Sequence, residues 1–313
     1  MRTFDTADVL ASEIDHLGHM NVRFYAERSQ RANSALLAEL GLDPDMGADR
    51  GVRLTQTDSY TRYQREQFAG ATLVVRGGVL GADALGVRTY YELANPAKDE
   101  IAATFLITTA LTDRTTGEVS ALPEAVVAHA NARRIELPAH GRPRTIDMGP
   151  PRTDLDFHAV AARITEDPDD HMSRRSDWTV PPEACDEHGV LADVGMMMFG
   201  GFRPPTPDEM KRFGPMTFET EEGHRVGWAS LETRMVRVSP ARAGDHLSSI
   251  GAEIGLHSKV RHTRRWLFNT TTGRLVTLND NVNIALDLDA RRAIDIPPSL
   301  RKSIEARHTP EFA

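Results

Sequence analysis

The chain has 313 residues, 40% of them hydrophobic and 26% charged, a globular composition with length enough for two ordinary domains or one large one. Its formal net charge of −8 argues against a general binder of phosphate backbones, though not against a local basic pocket for one anionic group. A single cysteine excludes an intramolecular disulfide and a cysteine-based zinc site, and no apolar run approaches the ~20 residues of a membrane span.

The opening stretch, MRTFDTADVLASEIDHLGH, lacks the apolar run of a signal peptide, so the cytoplasm is the expected compartment. A short strand comes first, then a turn and a helix. The turn, EIDHLGHMN from Glu13 to Asn21, gathers carboxylates, two histidines, a glycine and an asparagine. The helix that follows shows an apolar stripe at Val22, Tyr25, Ala32, Ala35, Leu36 and Leu40, with Arg23, Glu27, Arg28 and Arg31 off it. Asn21 or His19 sits near its start; Gly41 stops it and Pro44 lies just beyond. Mixed β-branched and apolar strands come next, clearest in TLVVRGGVL, GVRTYYELAN and IAATFLITTALTD, with NPAKDE as the hairpin turn between the last two. One long helix among antiparallel strands is α+β. Arg133 to Asp154 is rich in proline and glycine, has no period, and reads as a linker.

Beyond the linker the chain repeats itself. Gly70 pairs with Gly244, a separation of 174 residues (244 − 70), and the same offset pairs Leu73 with Leu247, Gly81 with Gly255, Thr89 with Thr263, Asn95 with Asn269, Asp113 with Asp287 and Pro123 with Pro297. NTTTGR is then the second copy of the NPAKDE turn. One fixed offset across several strands and turns points to duplication rather than chance between two β-rich regions.

The polar turn at the helix mouth has two readings. A helix N-terminus leaves backbone N–H groups unpaired and carries partial positive charge. Gly18 permits close approach to that backbone, and Asp15 lies just upstream. Free donors could hold a developing oxyanion while the carboxylate activates water or attacks directly. Equally, Asp and Asn are ordinary helix caps, and histidines often only satisfy a loop.

The stretch IDHLGHMNVRFYAERSQRA resembles the opening motif of the hydroxybenzoyl-CoA thioesterase family, which has the hotdog fold. Asp15, Gly18, His19, Asn21 and Tyr25 fall at that family's motif positions. YTRYQREQFAGATLVV and LTDRTTGEVSALPEAV resemble its strand-plus-turn and its closing strand, so the likeness covers about residues 7–127. The resemblance implies that Asp15 is the catalytic carboxylate, as general base or nucleophile on a thioester carbonyl. It implies that backbone N–H groups around His19 to Asn21 polarise that carbonyl, while His19 and Asn21 shape the site. Gly18, Met20 and Tyr25 would face the substrate, although Tyr25 belongs first to the helix stripe.

The second half departs from this pattern. ACDEHGVLADVGMMMFGG places Asp186 opposite Asp15 and Gly189 opposite Gly18, now 171 residues apart (186 − 15), but Val190 and Ala192 stand where His19 and Asn21 would be. One working site per chain, in the first half, is therefore expected. Met196, Met197, Met198 and Phe199 read first as core and second as an acyl tunnel. Cys185 aligns with Ile14 and has no evident base beside it. His257, Lys259, Arg261, His262, Arg264 and Arg265 make a basic stretch, either an exposed strand face or, through Lys259 and Arg261, a patch for coenzyme A phosphates.

The expected fold is thus a tandem double hotdog, with residues 1–132 carrying the site, 133–170 a linker, and 171–313 a second unit with a degenerate site. The two units would pair as an internal pseudo-dimer, open to further homo-oligomers. The expected activity is hydrolysis of an acyl-CoA thioester with no cofactor beyond the substrate's own coenzyme A, no metal, and no nucleic-acid or membrane partner. Acyl carrier protein is a second carrier to consider. The competing readings are a hotdog enoyl-CoA hydratase or dehydratase and a non-catalytic acyl-thioester binding protein.

Overall fold

A computed structural model describes residues 1–15, 17–43, 51–163, 175–192, 218–220 and 223–312. The fold is α+β, a tandem double hotdog. The chain forms two compact units, Met1–Arg144 with Arg234–Pro240, and Thr145–Thr233 with Ala241–Ala313.

The first unit contains β1 (Arg2–Asp8), α1 (Val22–Glu39), β2 (Val52–Tyr63), β3 (Thr72–Asp83), β4 (Gly86–Asn95), β5 (Glu100–Asp113), the short β6 (Val119–Ser120) and α2 (Glu124–Asn131). Its strands lie in the order β1-β3-β4-β5-β2, all antiparallel, with β6 on the end of β5. The apolar face of α1 (Tyr25, Ala32, Leu36, Leu37, Leu40) shares one core with Leu73, Val75 and Val79 of β3, Val87 and Tyr91 of β4, and Phe105 and Ile107 of β5. Burying such side chains is worth ~1.5–3 kcal/mol each and holds the helix against the sheet.

Two positions of the helix differ from the simple stripe. Ala35 is exposed, and Leu37 takes its place in the core. Arg28, expected off the stripe, is buried. Its Nη2 donates to Glu13 Oε2 at 2.9 Å and to the Asp8 carbonyl at 2.9 Å, and its Nη1 donates to the Ala7 carbonyl at 3.1 Å. A guanidinium is tolerated there because both Nη groups are engaged by a carboxylate and two strand-end carbonyls, while its buried Nε has no partner among the described residues. The result ties α1 to the end of β1 and to the 3-10 turn Ala11–Glu13. Asn33 makes a second polar tie inside the core, reaching Thr89, Tyr91 and Thr109.

The stretch after α2 packs on the first sheet. The Ile135 N–H donates to the Val79 carbonyl, a 3-10 turn spans Ala139–Gly141, and His140 Nε2 lies 2.7 Å from the buried carboxylate of Glu92. A helix, α3 (Phe157–Arg163), follows in the second unit.

The second unit contains β7 (Arg175–Thr179), β8 (Phe218–Glu219), β9 (Arg225–Arg237, whose last four residues belong to the first unit), β10 (His246–Leu256), β11 (Val260–Asn269), β12 (Leu275–Asp287), β13 (Arg292–Ala293) and α4 (Pro298–Glu305). The strand order is β9-β12-β11-β10-β7. The duplication is visible in its irregularities. The β-bulge at Val79/Gly81 recurs at Glu253/Gly255, and that at Leu93/Ala94 recurs at Leu267/Phe268. Asp113 and Asp287 each accept two turn N–H bonds through Oδ1. The parallel bridge Val79–Arg134 returns as Glu253–His308. Bulges fix strand register and pleat, so a constant offset of 174 (253 − 79) aligns the two sheets face for face. No helix among the described residues is long and apolar enough to cross a membrane.

Candidate active site

The polar turn is built before the helix begins. Its ends are held by an antiparallel bridge between Ile14 and Met20, and the Asp15 N–H donates to the His19 carbonyl at 3.0 Å. Gly18 closes the turn at φ 81°, a left-handed conformation that costs other residues about 1 kcal/mol or more. The Met20 N–H donates to the Gln67 carbonyl at 2.7 Å, and the Asn21 N–H to the Glu13 carbonyl at 2.9 Å, so the turn is docked on both sides.

Asn21 is the N-cap of α1 and acts in two directions. Its Oδ1 accepts the Arg23 N–H at 3.0 Å, and its Nδ2 donates to Asp15 Oδ2 at 3.4 Å. The other oxygen of Asp15 accepts the Leu17 N–H at 2.8 Å. The carboxylate is thereby oriented through both oxygens while its side chain keeps 16% exposure, enough for contact with water or a ligand. His19 is as accessible, at 15%. Its Nδ1 stands 3.9 Å from Asp15 Oδ1 and 3.8 Å from Glu66 Oε1, too far for a hydrogen bond to either, and it is buried without a hydrogen-bond partner among the described residues. The imidazole therefore lies between two carboxylates.

The donors are those expected only in part. The N–H groups of Met20 and Asn21 are already bonded, and the Arg23 N–H is capped. Those of His19 and Val22 have no protein partner among the described residues. A hydrogen-bond site at the mouth of α1 thus rests on His19 and Val22. Met20 is wholly buried in the core around α1 and serves packing. Tyr25 is buried too, donating to the Arg65 carbonyl at 3.2 Å and meeting Tyr63 edge-on, and burial pushes its phenol well above the ordinary value. Glu66 escaped the sequence reading. It lies in YQREQFAG, and nothing in its spacing links it to His19 nearly fifty positions earlier.

The second unit repeats the turn and changes its chemistry. The Asp186 N–H donates to Val190, Leu191 to Ala241 and Ala192 to Ala184, matching Asp15 to His19, Met20 to Gln67 and Asn21 to Glu13. Gly189 has φ 71°. Asp186 Oδ1, however, accepts both the His188 and the Val190 N–H at 3.0 Å, so the donor equivalent to the free His19 N–H is consumed by the acid itself. Asp186→Asn retains that acceptor oxygen and should change turnover by less than about threefold, measured as kcat beside wild type; an inactive, folded Asp186→Asn protein would move the working site to the second unit. Cys185 has its thiol pushed up by burial and by neighbouring Asp186, the reverse of an activated nucleophile. Met196, Met197, Met198 and Phe199 lie outside the described residues.

The basic stretch is not one exposed patch. Lys259 is exposed at the β10–β11 turn, but Arg261 is buried, bonded to Glu253 at 3.3 Å and stacked 4.1 Å from the Trp228 ring centroid. Arg264 and His262 face Asp280 at 2.8 and 3.3 Å. Alternation along β11 sends these cations to opposite faces of the sheet, and packing removes most of them from solvent.

Residues 9–129, which hold the Asp15 turn, match the family model of the thioesterase-like superfamily. The thioesterase-like match ends at the close of α2, in the first unit. Solved structures similar over both units include two thioesterases. A 12:0-ACP thioesterase from Umbellularia californica is 12% identical with a TM-score of 0.65, covering 90% of this chain and 94% of its own. An acyl-ACP thioesterase from Bacteroides thetaiotaomicron VPI-5482 is 11% identical with a TM-score of 0.60, covering 90% of this chain and 97% of its own. At these identities the likeness is one of fold. No curated protein matches the chain.

Proposed function

We propose that the chain hydrolyses an acyl-CoA thioester to a carboxylic acid and free coenzyme A, with Asp15 as the catalytic carboxylate. The observation that carries this reading is the anchored Asp15 carboxylate beside the unpartnered N–H groups of His19 and Val22 at the mouth of α1. The match of this segment to the thioesterase-like superfamily supports it.

Two routes use the same atoms. As a base, Asp15 takes a proton from water while the water oxygen bonds to the thioester carbonyl carbon. As a nucleophile, a carboxylate oxygen bonds to that carbon, the thiolate leaves, and water cleaves the resulting anhydride. In both, negative charge on the carbonyl oxygen is met by the N–H donors and the positive end of α1. The C–S bond then breaks and the thiolate takes up a proton. No metal or redox group is required by this chemistry. His19 shapes the site between Asp15 and Glu66, and Asn21 holds the carboxylate. Arg261 has its charge committed to Glu253.

Glu66→Gln removes one of the two negative charges on His19 at unchanged size. A partly exposed carboxylate within 4 Å of an imidazole contributes up to about 1 kcal/mol, so kcat should fall by up to about fivefold in Glu66→Gln and recover in Glu66→Asp. Equal rates in all three proteins would remove Glu66 from the site.

A panel of acyl-CoAs with detection of free thiol tests the function itself. Thiol release supports hydrolysis. Hydration without release favours the hydratase reading, and binding alone the acyl-thioester sensor. The two structural neighbours are named for acyl carrier protein substrates, so each acyl chain should be offered on both carriers. A single turnover in ¹⁸O-water that leaves label in Asp15 marks the nucleophilic route with water attacking the Asp15 carbonyl, whereas label in the product acid alone fits either route.

A further inference from the structure

The turn that carries Asp15 docks on the segment after β2, and the two units differ in how that segment is held. In both, one backbone carbonyl receives the turn. Gln67 accepts the Met20 N–H at 2.7 Å, and Ala241, 174 positions later (241 − 67), accepts the Leu191 N–H at 2.8 Å. In the first unit the N–H groups of Gln64 and Arg65 tie the segment to the Ala102 carbonyl, and the Gly70 N–H ties it to the Val9 carbonyl. Between these anchors the side chain of Gln67 is wholly buried. Alanine offers no amide at the matching place in the second unit.

The buried Gln67 amide is held at both ends. Its Oε1 accepts from Asn95 Nδ2 at 2.8 Å and its Nε2 donates to Glu100 Oε1 at 3.2 Å, so residues on either side of the β4–β5 turn clasp it. An amide used as acceptor on one side and donor on the other is fixed in orientation, and the donor aimed at a carboxylate makes a charge-assisted bond. Asn95 gives up a bond to serve this clasp. Its Oδ1 is buried with no hydrogen-bond partner among the described residues, a costly state for a polar atom. Its counterpart Asn269 uses the same oxygen to accept the N–H groups of Thr271 and Thr272 at 3.0 and 3.1 Å. The counterpart of Glu100 is Arg274. Beside Gln67, Glu66 sets its carboxylate 3.8 Å from His19 Nδ1, and the counterpart of Glu66 is Pro240. The clasp thus belongs to the unit whose turn keeps its histidine and asparagine.

We propose that Gln67 is a positioning residue for the Asp15 site: its amide, clasped between Asn95 and Glu100, fixes both the carbonyl that receives the Met20 N–H and the carboxylate that faces His19. The effect on rate rests on the thioesterase reading; the effect on the turn does not. A misplacement of ~1 Å at a reacting group can cost about a hundredfold in rate. The clasp opposes such drift by acting on the turn rather than on substrate.

The test uses the full chain. Gln67→Met keeps the length of the side chain and removes both amide bonds. Its kcat on the best acyl-CoA should fall about tenfold or more, with KM changed less than about threefold. Hydrogen exchange at the Met20 amide should quicken about tenfold or more, while the Leu191 amide of the second unit keeps its rate. Gln67→Glu sets a carboxylate against Glu100 and should lose rate as well. Combined with Glu100→Gln it restores a donor–acceptor chain of reversed polarity, so kcat should return to within about threefold of wild type. A merely space-filling Gln67 would show no such recovery, and this pair of variants keeps the test decisive where Gln67→Met fails to fold. Unchanged Met20 exchange, unchanged kcat, or no recovery in the double variant would each overturn the role. Wild type that releases no thiol from any acyl thioester would refute the thioesterase reading instead, and the exchange comparison would then decide whether Gln67 holds the turn.

Discussion

Asp15→Asn should lower kcat by about two to four orders of magnitude, the usual range for loss of a positioned acid–base group, with the fold intact. Asparagine keeps the volume, and its Oδ1 can still accept the Leu17 N–H that now meets Asp15. What changes is the second oxygen. The new Nδ2 would face the Asn21 amide as donor against donor. If Asn21 turned its amide to accommodate this, it would give up the cap on the Arg23 N–H, worth about 1 kcal/mol. The loss of stability is therefore small beside the loss of rate. Thiol release from the best acyl-CoA, measured beside a thermal melt, separates the two. Turnover near wild type in a folded Asp15→Asn protein would leave the carboxylate as a cap and nothing more.

Arg28→Met should produce the largest loss of stability, about 3–5 kcal/mol. Glu13 is largely buried beside Arg28, and without the guanidinium it becomes an uncompensated charge. The carbonyls of Ala7 and Asp8 lose their donors as well. For a chain of this size the melting temperature should drop by about 5–8 °C. Urea unfolding checks the free energy directly. A change below about 1 kcal/mol would place the Arg28–Glu13 pair among ordinary surface ion pairs. Glu13 also supplies the carbonyl that anchors the Asn21 N–H, so the surviving folded fraction should bind substrate less well.

The parts of this fold that were legible in the sequence are those fixed by local rules. The strands and the NPAKDE and NTTTGR turns follow from alternation and turn residues, and β4–β5 and β11–β12 form where they should. The Asp15 turn was legible because Gly18 and Asn21 each do a local job, one by its φ and one as a cap. Arg28 was not, because a charged residue on a helix reads as solvent-facing until partners from β1 and the 3-10 turn arrive beside it. Glu66 reaches His19 only through the docking of the turn on Gln67. The duplication was read through its identities, whereas Val79 against Glu253 and Tyr91 against Arg265 are differences at the same offset.

The first unit is discontinuous, since it takes Arg234–Pro240 from beyond most of the second. Arg234 is buried there in a two-pronged pair with Asp58 of β2. During synthesis Asp58 must wait for a partner encoded 176 positions later. At about 5–20 residues per second, that interval lasts roughly 10–35 s. Throughout it the nascent first unit carries an unmatched carboxylate on β2, so the final locking of this unit is a late event in the life of the chain, governed by translation speed rather than by its own local folding.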